Sequence, residues 1–180
     1  MNDNSMKSES ITLTDGTPII IRPIHPDDAE DLQSAFMRLS TESIYLRFLS
    51  YKKELTDEEA MRLAKVDYVN QMAFVATSKE QDQDIVVGVS RYAMLDTGHP
   101  DIAEAAVVVD DKYQGRGLGK QLLWRLVNYA RAKRIHFLRG NLQIGNDRML
   151  TLVQRSGLPY EKCYVDGIWE VTIDLELPKQ

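Results

Sequence analysis

The sequence contains almost no cysteine and no long apolar segment. Cys163 is the single cysteine among 180 residues, so no disulfide can form within the chain. No apolar run approaches the roughly 18 residues of a membrane-spanning helix, and the first residues lack the apolar segment of a signal peptide. These absences predict a cytoplasmic protein in a reducing compartment, with no membrane partner.

Motifs of several common chemistries are also missing. The histidines, His25, His99 and His136, have no metal-binding spacing, and neither H-E-x-x-H nor G-x-S-x-G occurs. No strand carries the paired aromatic residues that are typical of an RNA-binding sheet. The sequence therefore predicts no metal site and no nucleic-acid partner.

Acidic residues are missing from one stretch of the chain. Residues 112–146 carry eight lysines and arginines and no aspartate or glutamate, although the whole chain has a net charge of −5. Outside this stretch the chain has 14 basic and 27 acidic residues, which gives a net charge of −13. The basic stretch suits a phosphorylated ligand, and the acidic remainder suits a cationic amine or a lysine-bearing surface. Solvated surface charge is the simpler alternative for the acidic part.

The basic stretch begins in a strand–loop–helix pattern. The β-branched and small residues of 103–109 predict a buried strand, which ends before Asp110. Apolar residues at helical spacing, from Leu118 to Ala130, predict a helix soon afterwards. The loop between them is Gln114-Gly115-Arg116-Gly117-Leu118-Gly119. The free backbone N–H groups and positive dipole end of a helix N-terminus attract an anion such as a pyrophosphate, and glycines let it approach the backbone.

Two familiar phosphate-binding loops do not fit this stretch. A P-loop requires Ser or Thr after Gly-Lys to hold magnesium, but Gln121 follows Lys120. A dinucleotide-binding fold requires G-x-G-x-x-G and an acid about 20 residues later, whereas this loop is G-x-G-x-G and no acid follows before residue 147. A glycine-rich turn that binds nothing is the remaining alternative.

The other elements predict one mixed α/β domain over residues 10–177, after a disordered segment at 1–9. A hairpin around Asp15-Gly16 is followed by three helices, the third opened by a Thr56…Glu59 capping box. We then predict strands at 72–77 and 85–95, and a turn at Gly98-His99-Pro100. After the long helix come a strand at 135–142, a helix at 146–155 and a hairpin around Asp166-Gly167.

This order and the loop Q-G-R-G-L-G resemble the GNAT superfamily of N-acetyltransferases, whose acetyl-CoA loop is commonly Q/R-x-x-G-x-G/A. The stretches L-T-D-G-T-P-I-I-I-R-P-I-H-P-D-D and L-S-T-E-S-I-Y-L-R-F-L-S resemble bacterial Pat-type protein lysine acetyltransferases. The resemblance implies a GNAT fold with a mixed, mostly antiparallel sheet, splayed central strands and flanking helices. It also implies acetyl-CoA as cosubstrate, a protein lysine as acceptor and an AMP-forming acyl-CoA synthetase as partner.

By the same resemblance, Glu104 is the general base that removes a proton from the attacking amine. A free lysine amine titrates near pH 10.4, so only about one in 10³ is neutral at pH 7 and a base is needed. Glu104 lies among alanines, where a buried carboxylate would be costly without a purpose. A solvated glutamate at the edge of the strand is the alternative.

The resemblance also implies which residues hold acetyl-CoA. The backbone of the central strand would contact the pantetheine arm, the glycine loop would hold the pyrophosphate, and Asn146 would contact the arm or serve only as a helix cap. The expected binding residues are Val107, Val108, Val109, Gln114, Gly115, Arg116, Gly117, Leu118, Gly119, Lys120 and Asn146.

One position departs from the family pattern. Many GNAT proteins have a tyrosine seven residues after the motif asparagine, where it protonates the leaving thiolate, but this chain has Val153. The thiolate then leaves unprotonated, or water or another residue supplies the proton. The missing tyrosine leaves open a non-catalytic acyl-CoA-binding sensor. Acetylation of a small amine is a second alternative.

Overall fold

The structure, a computed structural model, describes residues 6–95 and 101–176. The predicted turn at Gly98-His99-Pro100 lies outside these residues, as do positions 1–5 of the predicted disordered segment. The first strand begins at Glu9.

The described residues form one eight-stranded sheet with the order β1-β2-β3-β4-β5-β6-β8-β7. All neighbouring strands are antiparallel except β5 and β6, which are parallel. The strands are β1 (Glu9–Thr12), β2 (Pro18–Pro23), β3 (Gln71–Glu80), β4 (Gln83–Met94), β5 (Ile102–Val109), β6 (Phe137–Gln143), β7 (Tyr160–Val165) and β8 (Ile168–Asp174).

Five α-helices flank the described sheet on its two faces. They are α1 (Ala29–Arg38), α2 (Thr41–Phe48), α3 (Asp57–Ala64), α4 (Leu118–Ala132) and α5 (Asp147–Arg155). One core, centred on Leu122, Leu126 and Phe74, packs α4 against the strands. A second core, centred on Phe36, Ala60 and Val75, packs α1 and α3 on the other face. The predicted mixed α/β architecture with flanking helices is confirmed.

Local sequence signals account for several of these elements. The predicted capping box is present at α3, where the Thr56 side chain accepts from the Glu59 backbone N–H and Glu59 accepts in return. In β5, Val107 and Val109 belong to the core under α4, whereas Ala106 and Val108 line a cavity next to α1 and α2. The side chains of β5 therefore alternate between two faces, and this alternation places Glu104 on the face away from α4.

Gly88, in β4, marks the closest approach of α4 to the sheet. A Cβ at this position would lie 2.8 Å from Leu122 Cδ1 and 3.3 Å from the Val108 carbonyl oxygen. We expect Gly88→Ala to destabilise the fold by about 1–3 kcal/mol, because the Leu122 side chain and the Val108 carbonyl must both give way to admit the methyl group. Thermal unfolding measures the change, and an unaltered melting temperature would contradict this account of the packing.

Candidate active site

The central strands β5 and β6 separate after a short paired segment. Their pairing covers only Ile102↔Phe137, Ala103↔Leu138 and Glu104↔Arg139. Beyond this point β5 continues beside β4, while β6 continues beside β8. The result is a V-shaped opening in the sheet, which we call the cleft, with a volume of about 910 Å³.

The cleft is walled by β5 on one side and by β6 and α5 on the other, with α2 and the glycine loop at its rim. Its lining includes most of the residues predicted to hold the cofactor: Val107, Val108, Val109, Gln114, Gly115, Gly117, Gly119, Lys120 and Asn146. The structure thus brings these residues together around one cavity. Arg116, Leu118 and Glu104 are not part of this lining.

Two glycines give the loop a backbone shape that other residues rarely adopt. Gly115 has φ +74° and Gly117 has φ +92°, and Gly117 is the N-cap of α4. Glycine has no side chain that could cap a helix, so the first N–H groups of the 15-residue α4 have no side-chain acceptor at the N-cap. The site therefore presents helix N–H donors and the positive end of a helix dipole at the rim of the cleft, an arrangement suited to an anion.

The β1–β2 turn supports this loop from outside. The Thr14 backbone N–H and Oγ1 both lie 3.2 Å from the Arg116 carbonyl oxygen, to which they donate. Arg116 Nη1 lies 2.7 Å from Asp15 Oδ2 in an ion pair. The Arg116 side chain is therefore directed to the turn, and Leu118 is 1% exposed in the core. A contact of Arg116 or Leu118 with a cofactor stays a prediction. For Leu118 the predicted contact is through the backbone N–H, because its side chain is buried.

Gln114 and Asn146 have structural roles in addition to their predicted ones. Gln114 Nε2 donates to the Val109 carbonyl oxygen at 3.0 Å, and Gln114 Oε1 accepts from Arg148 of α5. The Asn146 side chain accepts from the Met149 backbone N–H at 3.2 Å and so caps α5. Gln114 thereby joins the end of β5 to α5 across the cleft. A contact of Asn146 with pantetheine remains a prediction.

Asp111 attaches α2 to the glycine loop. Its carboxylate accepts from the Ser40 backbone N–H at 2.8 Å, from Ser40 Oγ at 2.9 Å and from Ser43 Oγ at 2.8 Å. Burial alone would raise the pKa of Asp111, but the hydrogen bonds from Ser40 and Ser43 outweigh burial and lower it. Since no residue of α2 is fully buried, the hydrogen bonds to Asp111 help to hold α2 at the rim of the cleft.

We expect Asp111→Asn to loosen α2. Hydrogen bonds to a charged group contribute about 1.5–3 kcal/mol, so amide hydrogen exchange in α2 should accelerate by about 10- to 100-fold. Asp67→Asn is a matched control, because Asp67 Oδ1 also accepts backbone bonds, from Val69, Asn70 and Gln71, but far from α2 in sequence. Equal exchange in α2 for both variants would contradict the role assigned to Asp111.

Glu104 lies at the vertex of the cleft, at the last β5–β6 pair. Its neighbours across the strands are Ala93 of β4 and Arg139 of β6. The Glu104 side chain is exposed, so the sequence argument from the cost of a buried carboxylate does not apply. An exposed carboxylate at this vertex is open to an approaching amine. The role of Glu104 as general base stays a prediction.

Sequence reasoning missed several charged residues of the site. Arg148 and Arg155 of α5 and Arg47 of α2 line the cleft, although they lie outside the acid-free stretch. Arg148 is adjacent to the motif Asn146-Asp147, and this proximity was the available signal. The described lining contains no tyrosine, histidine or cysteine, and Val153 is buried at 4% exposure.

Neither a cluster of metal ligands nor a membrane-spanning helix occurs in the part of the chain that the structure describes. Among residues 6–95 and 101–176, no three His, Cys, Asp or Glu side chains are close enough together to hold a metal ion. No helix in these same ranges is long and apolar enough to cross a membrane.

Comparison with known proteins identifies the family. The model of the acetyltransferase (GNAT) family matches residues 36–158, which include α2, the glycine loop and most of the cleft lining. The chain belongs to the GNAT family. Its members use acetyl-CoA as acetyl donor, and the residues of the cleft fit this cofactor, because anion-binding helix N–H groups lie at one end of an open strand edge. The predicted GNAT fold and acyltransferase class are thereby confirmed at the level of the family.

Individual relatives extend this assignment. The chain is 37% identical over 121 residues to acetyltransferase PA5475 from Pseudomonas aeruginosa, and 30% identical over 138 residues to acetyltransferase Pat from Mycolicibacterium smegmatis. The GNAT domain of S. lividans PAT superimposes with a TM-score of 0.82 at 27% identity, covering 93% of this GNAT chain and 96% of that domain.

The matched regions cover only part of the two curated relatives. The match includes 67% of this chain and 63% of the Pseudomonas protein, and 76% of this chain and 40% of the Mycolicibacterium protein. The family and the fold therefore follow from the comparisons, whereas the acceptor is a matter of proposal.

Proposed function

We propose that this GNAT protein transfers the acetyl group of acetyl-CoA to a lysine side chain on a folded protein, with an AMP-forming acyl-CoA synthetase as the first candidate acceptor. The observation that carries the proposal is the cleft between β5 and β6, which runs from Glu104 to the positive-φ glycine loop. The similarity to two proteins named Pat or PAT supports the choice of a protein acceptor.

Acetyl-CoA fits the cleft in one direction. The pyrophosphate would bind the N–H groups that begin at Gly117, next to Lys120, because both favour negative charge. The pantetheine arm would then lie along β5 at Val107–Val109, on the edge that faces β6 and from which β6 has separated. This places the thioester toward Glu104, and a β5 backbone N–H in that segment can stabilise the oxyanion formed during attack.

The amine would approach from the face that carries Glu104. Glu104 takes a proton from the protonated amine, directly or through one water, and the neutral nitrogen attacks the thioester carbonyl. The nitrogen of the tetrahedral intermediate loses its second proton to water, and the intermediate collapses with breakage of the C–S bond, giving an amide and CoA thiolate. Since the described lining offers no tyrosine and Val153 is buried, the thiolate leaves unprotonated or takes its proton from water.

The exposure of this face favours a protein acceptor over a small amine. α1 and α3 cover β3 and β4, and Glu104 lies beyond them and is exposed. On β7, five of six residues are exposed. An open sheet face of this kind can accept the convex surface of a folded protein, whereas small-ligand sites are usually concave and enclosed.

The test is incubation with acetyl-CoA and one acceptor at a time: a purified AMP-forming acetyl-CoA synthetase, spermidine, or a mixture of free amino acids. We expect N-acetyl-lysine on the synthetase by mass spectrometry, with one CoA released per acetyl group. Acetylation of only the small amines would move the assignment to the small-molecule class. Binding of acetyl-CoA with no CoA release from any acceptor would indicate a sensor.

A further inference from the structure

Two arginines lie beside Glu104 on the same face of the sheet. Arg91 of β4 is opposite Ala106 of β5, two residues beyond Glu104, and alternate residues of a strand share a face. Arg47, in the last turn of α2, is close enough to Glu104 to feel its charge. Both arginines therefore belong to the side from which the acceptor amine would approach.

Neither guanidinium of this pair makes a direct ion pair with a described protein carboxylate. Among the described residues, no carboxylate oxygen lies within 4.0 Å of either guanidinium. Arg91 Nη1 donates only to the Leu63 carbonyl oxygen at 3.5 Å, and the Arg47 guanidinium lies 4.9 Å from the Phe48 ring centroid. By contrast, the neighbouring Arg38 contacts the buried Asp110 at 3.1 Å.

This lack of partners is reflected in the titration of both groups. Burial lowers the pKa of Arg47, and the negative charge of Glu104 opposes that change. Burial, together with the positive charges of Arg47 and Arg62, lowers the pKa of Arg91 to about 10. Since two arginines face one exposed glutamate, an added anion would be attracted here and would relieve their mutual repulsion.

Both arginines line a small cavity next to the cleft. This cavity, of about 60 Å³, lies between α1, α2 and the strands β4 and β5. Its other lining is apolar except for the carboxylate of Asp110, whose charge is paired with Arg38. It shares Arg47, Ala106 and Val108 with the cleft. A water molecule takes about 30 Å³ of liquid volume, so the space is large enough for a carboxylate group.

We propose that Arg47 and Arg91 form an anion subsite that binds a carboxylate of the acceptor, next to the amine that Glu104 receives. The inference rests on the proposed function, and it narrows the acceptor class to lysines that have an acidic side chain as a near neighbour. Guanidinium groups recognise carboxylates through paired hydrogen bonds, which gives direction as well as attraction.

The phosphates of CoA are poor candidates for the same subsite. The glycine loop follows the C-terminal end of β5, whereas Glu104 lies near its N-terminal end. The five residue steps from Glu104 to Val109 span about 16 Å at the usual strand rise of about 3.3 Å per residue. A cofactor held at the loop therefore directs its phosphates away from Arg47 and toward Lys120.

Binding can be tested without catalysis. The Nε signals of ¹⁵N-arginine-labelled protein would be followed by NMR during titration with glutarate, and with uncharged glutaramide as the matched neutral probe. We expect saturable shifts of the Arg47 and Arg91 signals with glutarate alone. The shift of the Arg91 signal should be abolished by Arg47→Met and retained in Arg134→Met, which removes an exposed arginine just after α4. Equal responses to both probes, or none, would overturn the subsite.

Specificity provides the second test. Peptides with one central lysine flanked by Glu, Gln or Lys would be compared by CoA release. The subsite predicts a kcat/KM at least about tenfold higher for the Glu peptide, a preference lost in Arg91→Met, because Arg91 does not line the acetyl-CoA cleft. A preference that is absent in the native protein, or that survives in Arg91→Met, contradicts the subsite. If no peptide and no synthetase is acetylated, the proposed function fails, and the glutarate titration alone decides the subsite.

Discussion

Replacing Glu104 with glutamine is expected to lower kcat for CoA release by at least about 10²-fold, the usual scale for loss of a general base. Glutamine keeps the size of the side chain but cannot accept the proton of an ammonium group. Because Glu104 is exposed and not part of the cleft lining, the affinity for acetyl-CoA should change little. The expected pattern is a low kcat with a nearly unchanged dissociation constant for acetyl-CoA, measured by steady-state kinetics and calorimetry.

Glu161→Gln is the matched control for this substitution. Glu161 is an exposed glutamate on β7, paired with Thr172 of β8, and it does not line the cleft. Its replacement removes the same charge from the open part of the sheet and should leave kcat within about twofold. Full activity of Glu104→Gln would remove Glu104 from the mechanism, and water or substrate-assisted deprotonation would take its place.

Replacing Gly117 with aspartate is expected to weaken acetyl-CoA binding by at least about 10²-fold. At φ +92° any other residue is strained, typically by about 1–2 kcal/mol. The added carboxylate would also face the pyrophosphate at the start of α4, with repulsion on the order of 3 kcal/mol at an effective dielectric constant near 20. Each 1.4 kcal/mol of lost binding energy is about tenfold in affinity, and calorimetric titration with acetyl-CoA measures it.

Gly167→Asp separates strain from binding. Gly167, in the β7–β8 turn, has φ +90° and so matches Gly117 in backbone conformation. A Cβ added at Gly167 would have no heavy atom within 4 Å. Both variants should lose similar thermal stability, whereas only Gly117→Asp should lose acetyl-CoA. If the two variants bound acetyl-CoA equally well, the loop would not be the pyrophosphate site.

The glycine loop was predictable because its signals are local. A β-branched run, closely spaced glycines and an apolar helical period all lie within 30 residues, and each has a physical meaning without knowledge of the fold. The same holds for the α3 capping box and for the cap at Asn146, both present in the structure. Strand ends were less accurate: β3 extends to Glu80, beyond the predicted end at 77, because pairing with β4 continues through polar residues.

Properties set by distant parts of the chain could not be predicted from the sequence. Arg116 was expected to face phosphate, but its partner Asp15 is 101 residues away. Glu104 appeared costly to bury, yet it is exposed, because α1 and α3 cover β3 and β4 instead. The proximity of Arg91 to Glu104 depends on the β4–β5 register. Such register is fixed by the packing of the whole sheet.

The most direct test of direct transfer is the order of CoA release. The protein would be mixed with acetyl-CoA alone and, separately, with acetyl-CoA and the acetyl-CoA synthetase, and free thiol and acetyl-lysine would be followed by rapid quench. We predict no thiol before the acceptor is present, and then one thiol for each acetyl-lysine. A burst of thiol without acceptor would indicate an acetyl-enzyme and contradict direct attack of the amine on acetyl-CoA.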